Sequence, residues 1–262
     1  MQNKQGMNGF QIKITGLISM VFDHIGEFFS FPIIFHWIGR LAAPIFLFES
    51  SEGFIHTRNR KKYMLRLLYG FWLMGIIDFV LSRYFSIGDT IVVNNIFGTL
   101  FLGTVYMTAI SYFKGDRVQR SIVRGIAWFM VPILLGIGSL DLINIVGSNE
   151  IFLQLVLGWN ILVPNILLVE GGFLLVALAV LFYIFHGNKM AQIASLFVVA
   201  AFSLIGKDFG QLFGNNYQWM MILAALPILW YNGEKGKNMR NFFYIFYPAH
   251  IIVLAVLAYY LH

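Results

Sequence analysis

Apolar segments of about twenty residues follow one another along this chain, the length a helix needs to cross a ~30 Å hydrocarbon core at 1.5 Å per residue. Lipid offers no partner to backbone N–H and C=O groups, so such segments must satisfy their own hydrogen bonds as helices. Helices are predicted at 14–35, 38–57, 63–83, 95–113, 122–146, 167–186, 190–206, 217–231 and 242–261. Residues 150–166 have two readings: a tenth span, or a half-helix broken by Pro164 and packed inside the protein. The expected fold is all-α, a polytopic transmembrane bundle of nine to ten helices forming a single integral domain, 1–262. Composition agrees, because a chain 59% hydrophobic and only 11% charged, with mean hydropathy +0.75, cannot cover itself with polar surface.

The loops give the orientation. Lys4 and Lys13 precede the first helix. Arg58, Arg60, Lys61, Lys62 and Arg66 follow two crossings later, and Lys114, Arg117, Arg120 and Arg124 two after that. The positive-inside rule makes the N-terminus and both clusters cytoplasmic, in a cell's inner (cytoplasmic) membrane. If 150–166 does not cross, Lys189 and the loop 232–240 fall on the same side, which favours nine spans. The net charge of +6 then needs no nucleic acid, since basic loops beside anionic lipid account for it. The sequence has no cysteine, which excludes disulfides, thiolate metal sites and a cysteine nucleophile. No small-residue cleavage site follows an apolar run near the N-terminus, so the first segment is expected to stay as a helix.

Against that apolar background the intramembrane charges are informative, because each costs about 2.5 to 3.5 kcal/mol on insertion scales and usually marks a pathway or reaction centre. The first helix carries Asp23, His24 and Glu27, with His24 about 16 Å from Lys13 by helical rise, near the midplane. The spacing lets one face present a carboxylate beside an imidazole, which fits a general base or, equally, a packing or proton-relay histidine. On the second helix Glu49, Glu52 and His56 form one polar stripe running toward the basic cluster at 58–62. Arg40, at the outer start of that helix, is close enough in sequence to pair with Asp23 or Glu27; such a pair can also simply lock a hairpin. His250, about 13 Å into the last helix, is a second midplane imidazole beside Pro248, and the two histidines suggest one shared site. Asp78, Asp141 and Glu170 each stand alone, and His36, His186 and His262 are expected to be solvated. The Glu-x-x-His spacing of di-metal bundles is missing around these carboxylates, and no metal is expected.

The strings SMVFDHIGEFF (19–29), IGRLAAPIFLFESSEGFIHTRNRKKYMLRLL (38–68), YNGEKG (231–236) and FFYIFYPAHI (242–251) together resemble the TraX family of membrane proteins, named for the F-pilin N-acetylation protein. The layout is also similar to the larger integral-membrane acyltransferase family, with a basic residue at the start of the first helix, a histidine deeper in it, and a tyrosine–histidine motif in the last. Lys13, His24 and Tyr247/His250 fill those places, although the first is usually arginine in that family. The resemblance implies transfer of an acetyl or similar small acyl group from cytoplasmic acetyl-CoA or another acyl-CoA to an amine or hydroxyl of a membrane-presented acceptor, whether pilin-like protein, peptide or glycan. It implies His24 as base with Asp23 or Glu27 orienting it, and Arg40 or His250 stabilising the oxyanion. Lys13, Arg58, Arg60, Lys61 and Lys62 would receive the phosphates of CoA. A proton-coupled transporter and a non-catalytic membrane subunit are the alternatives. The first would use the same intramembrane acids and histidines, but the inverted repeats such carriers show are absent here.

Overall fold

The computed structural model describes residues 5–85, 95–146 and 150–261; Lys4 and His262 lie outside them, as does the side chain of Arg240. Apart from loops and turns, the described residues form α-helices, two 3-10 stretches (Phe209–Gln211 and Tyr217–Ala224) and one isolated bridge, Met7 with Tyr231. Helix α1 (Gly9–Phe29) starts earlier than the hydropathy suggests, because Asn8 and Gln11 form a reciprocal capping box ahead of the apolar run. It ends at Ser30 in the left-handed conformation, just before Pro32. The predicted second helix is two: the short α2 (Ile34–Gly39), then α3 (Ala42–His56), bent at Arg40 and Leu41. Asn59 caps α4 (Arg60–Tyr84) by accepting from Lys62 N–H at 2.8 Å. Helices α5 (Ile96–Lys114) and α6 (Ile122–Val146) are joined through Gly115, whose φ of 75° closes the C-terminus of α5.

The ambiguous stretch is a half-helix. Helix α7 (Glu150–Leu162) stops before Pro164 at mid-depth, where Trp72 of α4 donates to the Leu162 carbonyl at 2.7 Å. The Asn165 amide donates to Gly136 O, at 3.2 Å, in the middle of α6. From there α8 (Gly172–Ile184) continues to the basic end, where Tyr183 meets Asp116. Pro164 follows the end of the helix, and the backbone near the break finds its partners in the Trp72 indole and, through the Asn165 amide, in α6. Helix α9 (Lys189–Phe202) runs outward, and the chain returns through a 3-10 stretch (Tyr217–Ala224) and α10 (Ala225–Leu229) to α11 (Arg240–Leu261). The helices α4, α5, α6 (over Ile122–Leu142) and α11 (over Asn241–Leu261) are long and apolar enough to cross a membrane. Shorter apolar helices lie at Gly172–Ile184, Lys189–Phe202 and Tyr217–Leu229. This is a membrane protein.

The basic loops gather at one end of the bundle, held by polar links rather than by burial. Arg60 pairs with Asp116 at 2.7 Å, donates to Ser111 at 3.0 Å and stacks on Phe54. Tyr183 of α8 donates to the same Asp116 carboxylate at 3.0 Å, and Arg117 reaches Thr57 O at 3.0 Å. Lys189 donates to the Tyr231 carbonyl, while Met7 and Gly9 N–H groups donate to Trp230 O and Glu234 O at 2.7 Å each. Glycines let α1 approach its neighbours. A Cβ on Gly16 would lie 2.8 Å from the Ile45 side chain, and one on Gly39 would collide with the Asp23 carboxyl.

The Arg60 and Tyr183 hydrogen bonds hold the Asp116 carboxyl below its ordinary range. A carboxyl depressed in the folded state stabilises above its unfolded pKa and loses that contribution as pH falls through the folded one. The Tm difference between the wild type and Asp116→Asn is therefore expected to be full at neutral pH and to close as the medium is acidified below the carboxylate range, measured by thermal melts in detergent.

Candidate active site

Two histidines from opposite ends of the sequence meet at the centre of the bundle. His24 of α1 and His250 of α11 are both buried, and His24 Nδ1 lies 2.7 Å from His250 Nε2. His250 Nδ1 is 3.0 Å from the Phe246 carbonyl one turn earlier. A carbonyl can only accept, so His250 Nδ1 carries a proton; its neutral Nε2 then accepts from His24 Nδ1–H. That chain of donors leaves His24 Nε2 with its lone pair, the state a general base requires. Phe246 stacks on His250 with ring centroids 5.2 Å apart, and the Tyr247 ring packs edge-on against both imidazoles. The Tyr247 hydroxyl accepts from Ile96 N–H at 3.3 Å.

Helix 1's carboxylates therefore do not orient His24. Asp23 turns to the other side of α1, where it pairs with Arg40 and with His36 Nδ1 at 2.9 Å. Arg40 also donates to Gln218 at 3.0 Å and lies over the Tyr217 ring, so the α1–α2 hairpin is locked to the returning 3-10 stretch. The i, i+1 offset of Asp23 and His24 explains the divergence, since adjacent residues on a helix point about 100° apart. Glu27, one turn on, is exposed. His250 has both nitrogens engaged, which removes it as an oxyanion donor and makes it the partner that orients His24.

A cavity of about 470 Å³ at the basic end reaches Phe246 and Tyr247, the aromatic residues packed against the two imidazoles. Its walls carry the whole predicted stripe, Glu49, Glu52 and His56, together with Lys13. Each acid is partnered: Lys13 binds Glu49 at 2.7 Å and His186 binds Glu52 at 2.8 Å. His56 Nδ1 donates to Glu52 O at 2.9 Å. At the mouth the basic groups are Arg66, Lys235 and Lys237. Arg58, Lys61 and Lys62 are exposed and outside the lining, and Arg60 is committed to Asp116, so the phosphate ligands expected in that cluster do not face the cavity.

The inner end of the cavity, at Met20, Phe46, Ile96 and Tyr247, adjoins a small chamber of about 60 Å³ that holds His24, Asp23, Arg40, Gln218 and Glu170. His36, expected to be solvated, is half-buried and drawn onto Asp23, while His186 is exposed as expected and pairs with Glu52 from there. Glu170, Gln218, Lys235 and Lys237 reach the site from segments whose local sequence gave no sign of it; only contact across the fold places them. Among the described residues no group of three or more His, Asp or Glu is placed to hold a metal ion.

The sequence pattern of the family described as "TraX protein" matches residues 8–139 and 129–258, a span that includes both histidines. The chain belongs to the TraX family. Another similar protein is the probable fimbrial assembly protein FimC, serogroup H1, of Dichelobacter nodosus, 24% identical over 261 residues that cover 94% of each chain. No solved structure matches. Within this TraX protein the paired imidazoles and the Asp23–Arg40 lock thus sit inside the matched regions.

Removing Arg40 while leaving Asp23 strands a largely buried charge, for which the cost is about 3 kcal/mol. Arg40→Met is expected to lower the Tm measurably, and adding Asp23→Leu should recover a good part of the loss; a double variant no more stable than the single one would show that the pair is not the lock.

Proposed function

We propose that this TraX protein is a membrane-embedded acyltransferase that moves an acetyl or small acyl group from cytoplasmic acyl-CoA to an amine or hydroxyl of a membrane-presented acceptor. One observation carries the reading: an imidazole with a lone pair on Nε2, held by a second imidazole, sits where a deep cavity from a basic mouth meets a polar chamber. Acyl-CoA matches that shape, with phosphates at one end for Arg66, Lys235 and Lys237 and a long arm that delivers the thioester inward. The expected contributions of Arg58, Lys61 and Lys62 become those of a positive field around the mouth rather than direct contact. The relative named as a fimbrial assembly protein makes a pilin-like polypeptide the favoured acceptor.

The chemistry follows from the tautomer. The acceptor N–H or O–H gives its proton to His24 Nε2 as its heteroatom attacks the thioester carbonyl carbon. The imidazolium that forms is stabilised through Nδ1–H by His250, whose own Nδ1–H is held by Phe246 O. Negative charge developing on the carbonyl oxygen is favoured by the Arg40 guanidinium and by the Tyr247 hydroxyl, both lining the chamber. Collapse of the tetrahedral intermediate breaks the C–S bond, and the departing thiolate takes the proton back from His24. No covalent acyl-enzyme is needed. A proton-coupled carrier or a non-catalytic subunit has no use for a donor-shaped cavity ending on a paired imidazole.

Full-length protein in detergent, supplied with radiolabelled acetyl-CoA and a membrane extract, is expected to label an acceptor. His24→Ala should abolish labelling while donor binding persists. His250→Ala should lower it by roughly 10²-fold, the usual scale for a positioned acid–base group. Lys235→Ala with Lys237→Ala should weaken donor binding without changing the rate at saturation. Labelling retained in His24→Ala would remove that residue from the chemistry.

A further inference from the structure

The chamber beyond His24 contains one charged group that the chemistry above leaves unused. Glu170 lies in the break between α7 and α8, followed by Gly171 and Gly172 at φ of 70° and 54°. Its backbone carbonyl accepts from the Thr99 hydroxyl at 2.6 Å, which pins the turn against α5. Its carboxylate lines the chamber with His24, Asp23, Arg40 and Gln218. It makes no hydrogen bond or ion pair with any described residue, and Arg40, Asp23 and Glu27 are its electrostatic neighbours. Arg40 is already matched by Asp23, so the chamber carries surplus negative charge. The donor cavity has the opposite sign at its mouth, because Glu49 and Glu52 are matched by Lys13 and His186 while Arg66, Lys235 and Lys237 have no carboxylate partner among the described residues. Two compartments of opposite charge thus meet at the His24 imidazole, and Glu170, exposed and lining the chamber without a matching cation of its own, is open to an incoming one.

We propose that Glu170 binds the acceptor and sets its class: its carboxylate takes the acceptor's ammonium group and holds the nitrogen beside His24 Nε2. This rests on the acyl-transfer reading above. The ammonium first loses one proton to water. The neutral nitrogen then attacks the thioester carbonyl carbon, its second proton passing to His24 and on to the thiolate, and the products are an amide, a thiol and one released proton. Glu170 favours the cation before the first step and the partly positive nitrogen during the second. A hydroxyl acceptor stays neutral until attack and gains little from it.

The test uses the full chain in detergent with n-butylamine and n-butanol as acceptor probes and radiolabelled acetyl-CoA as donor. Glu170→Gln keeps the size and removes the charge. The KM for butylamine is expected to rise at least ten-fold, that for butanol to change less than two-fold, and donor affinity to stay near wild type. An unchanged KM for butylamine, or equal losses with both probes, would overturn the assignment. A second measurement needs no substitution: without donor, butylamine should raise the Tm of the wild type and butanol at the same concentration should not, and equal behaviour overturns the cation site. Wild-type protein that is stabilised by butylamine but acetylates neither probe would sink the acyl-transfer reading and leave the cation site standing.

Discussion

Polar groups on α1 can find partners only inside the protein, and the arrangement of the other helices follows from that need. Lys13 requires Glu49 and fixes α1 against α3. Asp23 requires Arg40 and His36, which folds the α1–α2 hairpin back and ties it to the 3-10 stretch through Gln218. His24 requires His250 and brings the last helix to the first. Apolar helices in lipid have little hydrophobic reason to choose one neighbour over another, so pairing of this kind and close glycine contacts decide the packing. Gly16 on α1 and Gly39 at the end of α2 supply the close contacts, against Ile45 and the Asp23 carboxyl.

The same pairings shape the site. Because Asp23 is spent on Arg40, it leaves His24 to be held by a second imidazole. Because Glu49 and Glu52 are each partnered, the cavity at the basic end can hold a polar stripe and still carry Arg66, Lys235 and Lys237 in its lining. The chamber keeps the reverse sign through Glu170. Structural and chemical roles thus fall on neighbouring residues of one helix, separated only by the 100° step between them.

Much of this was legible in the sequence. Segment length gave the helices, the basic loops gave their common end, and the rarity of charge in hydrocarbon singled out His24, Asp23, Arg40, Glu49, Glu52 and His250. What one sequence could not give is which of several possible partners each charge takes. Asp23, Glu27 and Arg40 are all near enough for pairing, and only the three-dimensional approach of α2 selects Asp23. The basic run at 58–62 looked like a phosphate site because it is dense, yet density says nothing about which way a first helical turn points. Glu170 looked uninformative for the opposite reason: it is isolated in sequence and acquires its neighbours from four other segments.

The bond between His24 and His250 also has a consequence in time. A ribosome delivers His24 of α1 226 residues before His250 of α11, so a growing chain holds the first imidazole before its partner exists. The donor cavity lacks a wall for as long, because Phe243, Tyr244, Phe246 and Tyr247 arrive with the same final helix. The paired imidazoles and the aromatic wall of the cavity therefore form only when α11 joins the bundle, so the order of translation makes this centre one of the late features of folding.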